Sequence, residues 1–129
     1  MKLHPALQEW FEQTFPSFTE IQRKALPHTL AGRNTLILAP TGSGKTLSAF
    51  LACLSNLGTS AEAAELPNAV CAVYITPLRS LGRDIHRNLE QTLTAINASL
   101  PAKRQIRMEV RTGDTDFAAR SKQQRHRPH

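Results

Sequence analysis

Acidic residues are scarce in this 129-residue chain, with ten Asp and Glu against sixteen Lys and Arg, a formal charge of +6. That shortage leaves few side chains for holding a metal or activating water, and the excess of cations invites a polyanionic partner. Cysteine is scarcer still. Cys53 and Cys71 have no metal-ligand spacing around them and are expected to be buried free thiols of a reducing cytoplasm, without a disulfide partner. No apolar run approaches the length of a membrane span, so no membrane partner is expected. Met1-Lys2-Leu3-His4-Pro5 has no apolar stretch behind it, which argues against a signal peptide. What remains, 40% apolar and 20% charged residues, suits a single globular domain with one core and is not the composition of a disordered chain.

The positive charge is unevenly spread. Lys103, Arg104, Arg107, Arg111, Arg120, Lys122, Arg125 and Arg127 outnumber Glu109, Asp114 and Asp116 toward the end of the chain. A basic stretch is as often solvated surface as a nucleic-acid site, so charge alone does not decide between them.

The stretch Ala39-Pro40-Thr41-Gly42-Ser43-Gly44-Lys45-Thr46 is far more informative. It follows the apolar run Thr35-Leu36-Ile37-Leu38, expected to be a buried strand, and opens into a helical pattern from Leu47 to about Leu57. Strand, glycine-bearing turn and helix are the context of a phosphate-binding loop. Glycines let successive N–H groups of Thr41, Gly42, Ser43 and Gly44 point into one concavity, and the helix end adds its unpaired N–H groups and positive dipole. Lys45 supplies a point charge for the β- and γ-phosphates of ATP, and the Thr46 hydroxyl is placed to ligate Mg2+. The plain alternative is a strand-to-helix turn carrying a surface lysine. Ala39 stands where the general pattern has glycine.

Residues 3–15 read as a first helix, with Leu7, Trp10, Phe11 and Thr14 at helical spacing. A second helix starts near Thr19 and carries Ile21, Ala25, Leu26 and Leu30; Pro27 should kink or split it, and Gly32 should close it. Thr19 with Gln22 forms a capping-box pattern. A glutamine can also pair with N6 and N7 of adenine, and one residue could serve both roles. Residues 58–68 read as a surface loop, residues 69–76 as a strand covered on both faces, and the series Leu78, Leu81, Ile85, Leu89, Leu93, Ile96, Leu100 as one long helix. In residues 105–111, Ile106, Met108 and Val110 alternate with Arg107, Glu109 and Arg111, a third and half-exposed strand that turns Glu109 away from the loop. A turn at 112–115 and helix-forming residues at 116–125 follow. Alternating strands and helices imply an α/β fold with a parallel sheet and flanking helices. The ends of its three strands, at Ala39, at Thr76-Pro77 and at Thr112-Gly113, would then share one ligand-binding rim.

Together these segments resemble superfamily 2 helicases. The form of the loop is the one usual there, and Phe18 with Gln22, Pro27 and Gly32 is similar to the adenine-reading Q-motif. Thr76-Pro77-Leu78-Arg79-Ser80-Leu81 looks like the motif that grips a nucleic-acid backbone. Residues 84–90 and Arg111-Thr112-Gly113-Asp114-Thr115, with the basic segment after them, resemble the Lhr (large helicase-related) DNA helicases. The resemblance implies a P-loop NTPase of RecA-like fold that binds ATP through Gln22 and residues 41–46, takes Mg2+ at Thr46, and holds nucleic acid, above all single-stranded DNA, at Thr76, Pro77, Arg79, Thr112 and Gly113. Hydroxyls, N–H groups and a cation without base-edge readers suit backbone contacts. The family also carries a DExH element, a second RecA-like domain and further domains that do not appear in these residues. The chain therefore reads as the amino-terminal part, residues 1–129, of a first motor domain with an incomplete sheet, truncated before the DExH motif. It would bind without turnover unless the missing domains act in trans. A non-catalytic nucleotide or nucleic-acid module, a non-functional truncated product, and a small complete P-loop enzyme such as a kinase stand beside that reading.

Overall fold

The computed structural model describes the backbone of residues 2–76 and 79–129 and the side chains of residues 2–76 and 89–129. Among the described residues the α-helices are α1 (Pro5–Thr14), α2 (Glu20–Leu30), α3 (Lys45–Ala63), α4 (Arg79–Ala98) and α5 (Phe117–Arg125), with a 3-10 turn at Ala102–Arg104. Pro5 opens α1, where its fixed φ suits the helix and its missing N–H costs nothing. Leu7 and Phe11, four residues apart, bury the same face of α1. The Phe11 ring stacks on Phe18 with centroids 3.9 Å apart, which ties the end of α1 to the segment entering α2.

The ends of α2 are as its sequence suggests. Thr19 and Gln22 form the capping box, and Gly32, at φ 68°, closes the helix. The Gly32 N–H donates to Thr29 O at 3.0 Å and the Arg33 N–H to His28 O at 3.1 Å, so two of the orphan carbonyls are satisfied. Pro27, expected to kink or split this helix, does not split it: α2 runs uninterrupted through it. Pro27 and Arg23, whose carbonyl would have received the missing N–H, both lie on the exposed side. Solvent can satisfy that carbonyl, while the buried Ala25 and Leu26 hold the helix in place.

Helix α3 extends past the expected stop at Leu57, taking residues 58–63 out of the anticipated loop. Gly58 sits inside this extension, in spite of its poor helix propensity. A Cβ there would stand 2.2 Å from Ile96 Cδ1, so glycine inside the helix allows α4 to lie close against α3. Helix α2 packs on α3, and α4 on α1 and α3. The core between them joins Leu3, Leu7, Phe11, Leu26, Leu51, Leu54, Ala61, Ile96, Leu100 and Ile106. The expected helix residues Leu78, Leu81 and Ile85 lie outside the described side chains.

Among the described residues no strand is formed, so the expected parallel sheet is not shown. Residues 35–38, expected to be buried, leave Leu36 and Leu38 82% and 81% exposed. Residues 69–76, expected to be covered on both faces, leave Val73 and Ile75 74% and 86% exposed. Of the third segment, Ile106 is buried and Val110 exposed, with Arg107 and Glu109 outward. A β-rich pattern makes a strand only when a second backbone pairs with it about 4.8 Å away, and among the described residues none of the three segments forms such a ladder. What links the last two is His129. Its carbonyl accepts the N–H groups of Cys71 and Ala72, both at 2.7 Å, and its own N–H donates to Arg107 O at 2.9 Å. Without a strand around it Cys71 is exposed, and Cys53 on α3 is half-buried, so the expectation of two buried thiols fails. Burial, then the neighbouring Cys71, pushes the Cys53 thiol pKa up.

Candidate functional site

The loop at residues 39–46 turns through two glycines into a helix without a strand leading into it. Gly42 and Gly44 adopt φ of 80° and 89°, the left-handed region in which side chains are strained, and α3 begins at Lys45. The Ser43 N–H donates to Pro40 O at 3.3 Å, which closes the turn. Lys45 reaches back over it: Nζ donates to Pro40 O at 2.8 Å and to Ala39 O. An ammonium held by two carbonyls at the start of a helix can be transferred to an anion with little motion of its stem. Thr46 follows in the first turn of α3 and is exposed, as Thr41 and Gly42 are. Ser43 Oγ is buried with no hydrogen-bond partner among the described residues.

Gln22 lies against this loop, and its surroundings favour the cap. Its Oε1 accepts the Thr19 N–H at 2.9 Å, and Thr19 Oγ1 accepts the Gln22 N–H at 3.3 Å. The residue is only 3% exposed. Its carboxamide rests on Gly44, where a Cβ would stand 2.5 Å from Gln22 Nε2. Thr19 Oγ1 also donates to Ser43 O at 2.9 Å, so one threonine joins the start of α2 to the loop. Sequence reasoning found the capping box and missed this second bond, which no spacing rule announces. Beside it lies a groove of about 430 Å³ lined by Thr19, Glu20, Ile21, Lys24, Leu38, Ala39, Pro40 and Ser43. Glu20, the acid in that lining, is paired with Lys24 at 2.6 Å, and that partner lowers its carboxyl pKa.

The second group of candidate residues is less closely assembled. Thr76 is half-buried in extended chain; Pro77 and the Arg79 side chain lie outside the described residues. Thr112 and Gly113 form an exposed turn whose donors are largely used internally. The Thr112 N–H donates to Thr115 Oγ1 at 2.8 Å, and Thr112 Oγ1 accepts the Asp114 N–H at 3.3 Å. Arg120, which the sequence showed only as one basic residue among many, organises this turn. Its Nε donates to Thr115 O at 2.7 Å and its Nη2 to Gly113 O at 3.1 Å. No hydrogen bond among the described residues joins the turn to the loop at 39–46. Among the same residues no group of His, Cys, Asp or Glu is arranged to hold a metal, and no helix is long and apolar enough to cross a membrane.

The arrangement of helices and loop superposes on a RecA-like helicase fold, that of the Mycobacterium smegmatis helicase Lhr solved bound to ssDNA and AMP-PNP. The TM-score is 0.81 at 36% identity, over 98% of this chain and 16% of that one. The DEAD/DEAH box helicase profile matches residues 19–127, and the chain belongs to that family. Similar proteins include the ATP-dependent helicase Lhr-Core of Methanothermobacter thermautotrophicus, 48% identical over 98% of this chain and 15% of that protein. The Lhr helicase/uracil glycosylase of Escherichia coli is 35% identical over 96% of this chain and 9% of its own length. The chain thus spans a small part of the relatives it matches.

Proposed function

We propose that residues 1–129 are the nucleotide-binding and DNA-gripping part of the first RecA-like motor domain of an Lhr-type helicase. The observation that carries this reading is the loop, with two left-handed glycines, an ammonium folded over its mouth and a helix starting at that lysine. In this reading residues 41–45 hold the phosphates of ATP, and Thr46 ligates the Mg2+ that travels with them. Gln22 meets adenine through Nε2, the side-chain nitrogen left over by the Oε1 bond to Thr19. Thr76, Pro77, Arg79, Thr112 and Gly113 take the backbone of single-stranded DNA. The ssDNA in the solved Mycobacterium smegmatis relative supports the choice of strand.

Hydrolysis needs an oriented water and a fixed metal besides a held γ-phosphate, and those contributions act as a unit. The acid lining the groove is already paired with Lys24. We therefore assign turnover to helicase domains outside these residues, supplied in the same protein or in trans. Calorimetry with Mg-ATP tests the binding: Lys45→Ala should lose about 1.5–3 kcal/mol, the value of a charge-assisted hydrogen bond. Equal affinities for the two proteins would remove the site. Phosphate release, with and without single-stranded DNA, should stay at background for the isolated chain. DNA-stimulated release abolished by Lys45→Ala would instead show a catalytic acid within it, with Asp114 the first to test.

A further inference from the structure

We infer that the ring of Phe117 is a stacking platform for an unpaired base, set at the head of α5 beside the 112–115 turn. This rests on the DNA-gripping role proposed above and names a contact that role does not contain. Phe117 is 86% exposed, and α5 buries none of its residues, so the ring does not belong to a packing face of this helix.

The ring is nonetheless on a well-held element. Asp116 Oδ1 accepts the Ala119 N–H at 2.7 Å and fixes the start of α5. Arg120 ties the first turn of α5 to the carbonyls of Gly113 and Thr115, and Gln123 Nε2 donates to Val110 O at 3.2 Å. A planar side chain on a fixed backbone loses little entropy when something lies flat on it.

Charge identifies the occupant. Within α5 the charged residues are Arg120, Lys122 and Arg125, with Arg111 and Arg127 on either side of it and no acid inside the helix. A polyanion is drawn to that stretch. The helix end itself is not where its phosphate would settle, because Asp116 already occupies the N–H there and adds negative charge. Next to that carboxylate, an uncharged π-face is better matched by a base than by a phosphate. In a polyanionic strand an unpaired base offers such a face, and stacking of this kind tolerates any sequence.

The test is fluorescence anisotropy on the 129-residue chain with labelled oligo-dT and with an abasic strand of equal length. The wild type should bind oligo-dT more tightly. Phe117→Ala and Phe117→Leu should each weaken oligo-dT binding roughly 5- to 100-fold and leave abasic binding unchanged, while Phe117→Trp keeps the preference. Unchanged oligo-dT affinity in both the alanine and leucine variants overturns the inference, as does equal wild-type affinity for the two strands. Two other results also overturn it: loss of helical circular dichroism in both variants, which makes the ring structural, and a change in sedimentation without a change in DNA affinity, which makes it a self-contact. Failure of the wild type to bind either strand overturns the proposed function itself.

Discussion

Two glycines in one loop have left-handed backbones for different reasons. Gly42 has open space where a Cβ would stand, whereas at Gly44 that atom would meet Gln22 Nε2 at 2.5 Å. A side chain at either position incurs a backbone cost of about 1–2 kcal/mol. Only at Gly44 must Gln22 also move, and with it the bonds through which Thr19 joins α2 to the loop. Gly44→Ala should therefore destabilise more than Gly42→Ala, and should alone shift the Thr19 and Gln22 amide resonances. Equal losses, with those resonances unmoved, would show that the contact between Gln22 and Gly44 contributes nothing. Lys45 illustrates the same dependence on neighbours, since its position at the loop's mouth comes from the carbonyls of Ala39 and Pro40.

At the scale of elements, the two extended segments at 69–76 and 105–111 are joined through a residue far from both in sequence. His129 Nδ1 accepts the Arg107 N–H at 3.1 Å, which requires that nitrogen to be unprotonated. Burial, then the Arg107 charge, lowers the His129 pKa below its usual 6.5, against a smaller opposing effect of the Pro67 carbonyl. The folded chain thus binds the proton less readily than the unfolded one. The stitch is complete above a pH of about 6.5 and is lost as pH falls through the lowered value. The His129 titration followed by NMR should have its midpoint below 6.5, and Arg107→Gln should raise it. Protection factors for amide exchange at Cys71, Ala72 and Arg107, taken relative to the intrinsic rate at each pH, should fall at acid pH. A midpoint at or above the usual value would contradict this account.

Across the whole molecule, apolar side chains divide between a helical core and bare extended segments. Leu7, Leu26, Leu51 and Ile96 are fully buried, while Leu36, Leu38, Val73 and Ile75 are more than 70% exposed. Each of the exposed group leaves about 1.5–3 kcal/mol of burial free energy unclaimed. Open backbone beside apolar side chains is also a template for association. The isolated chain should bind an anionic naphthalene dye and self-associate as its concentration rises. Leu38→Lys combined with Ile75→Lys should reduce both. A sharp two-state melt of a monomer without dye binding would show that these segments are covered in solution.

Local chemistry was legible in the residues themselves. The capping box at Thr19 and Gln22, the closing role of Gly32, the turn after Ala39 leading into a helix, and the buried positions Ile96 and Leu100 each depend on neighbours within a few positions. Steric limits on φ and the helical period act at that range. The sheet was not legible, because a β pattern states that a segment can pair and says nothing of where its partner lies. Residues 35–38, 69–76 and 105–111 have the right composition, and among the described residues no ladder forms between them. That Pro27 leaves α2 unsplit has a related reason: whether a proline splits a helix depends on which side of the helix faces solvent. Gly58 marks a loop by propensity and lies inside α3, where Ile96, thirty-eight positions away, occupies the space a side chain would need. The bond from Thr19 to Ser43, the Arg120 clamp and the His129 stitch also join residues distant in sequence. Such contacts are decided by the packing of helices around one core, a property of the folded chain as a whole.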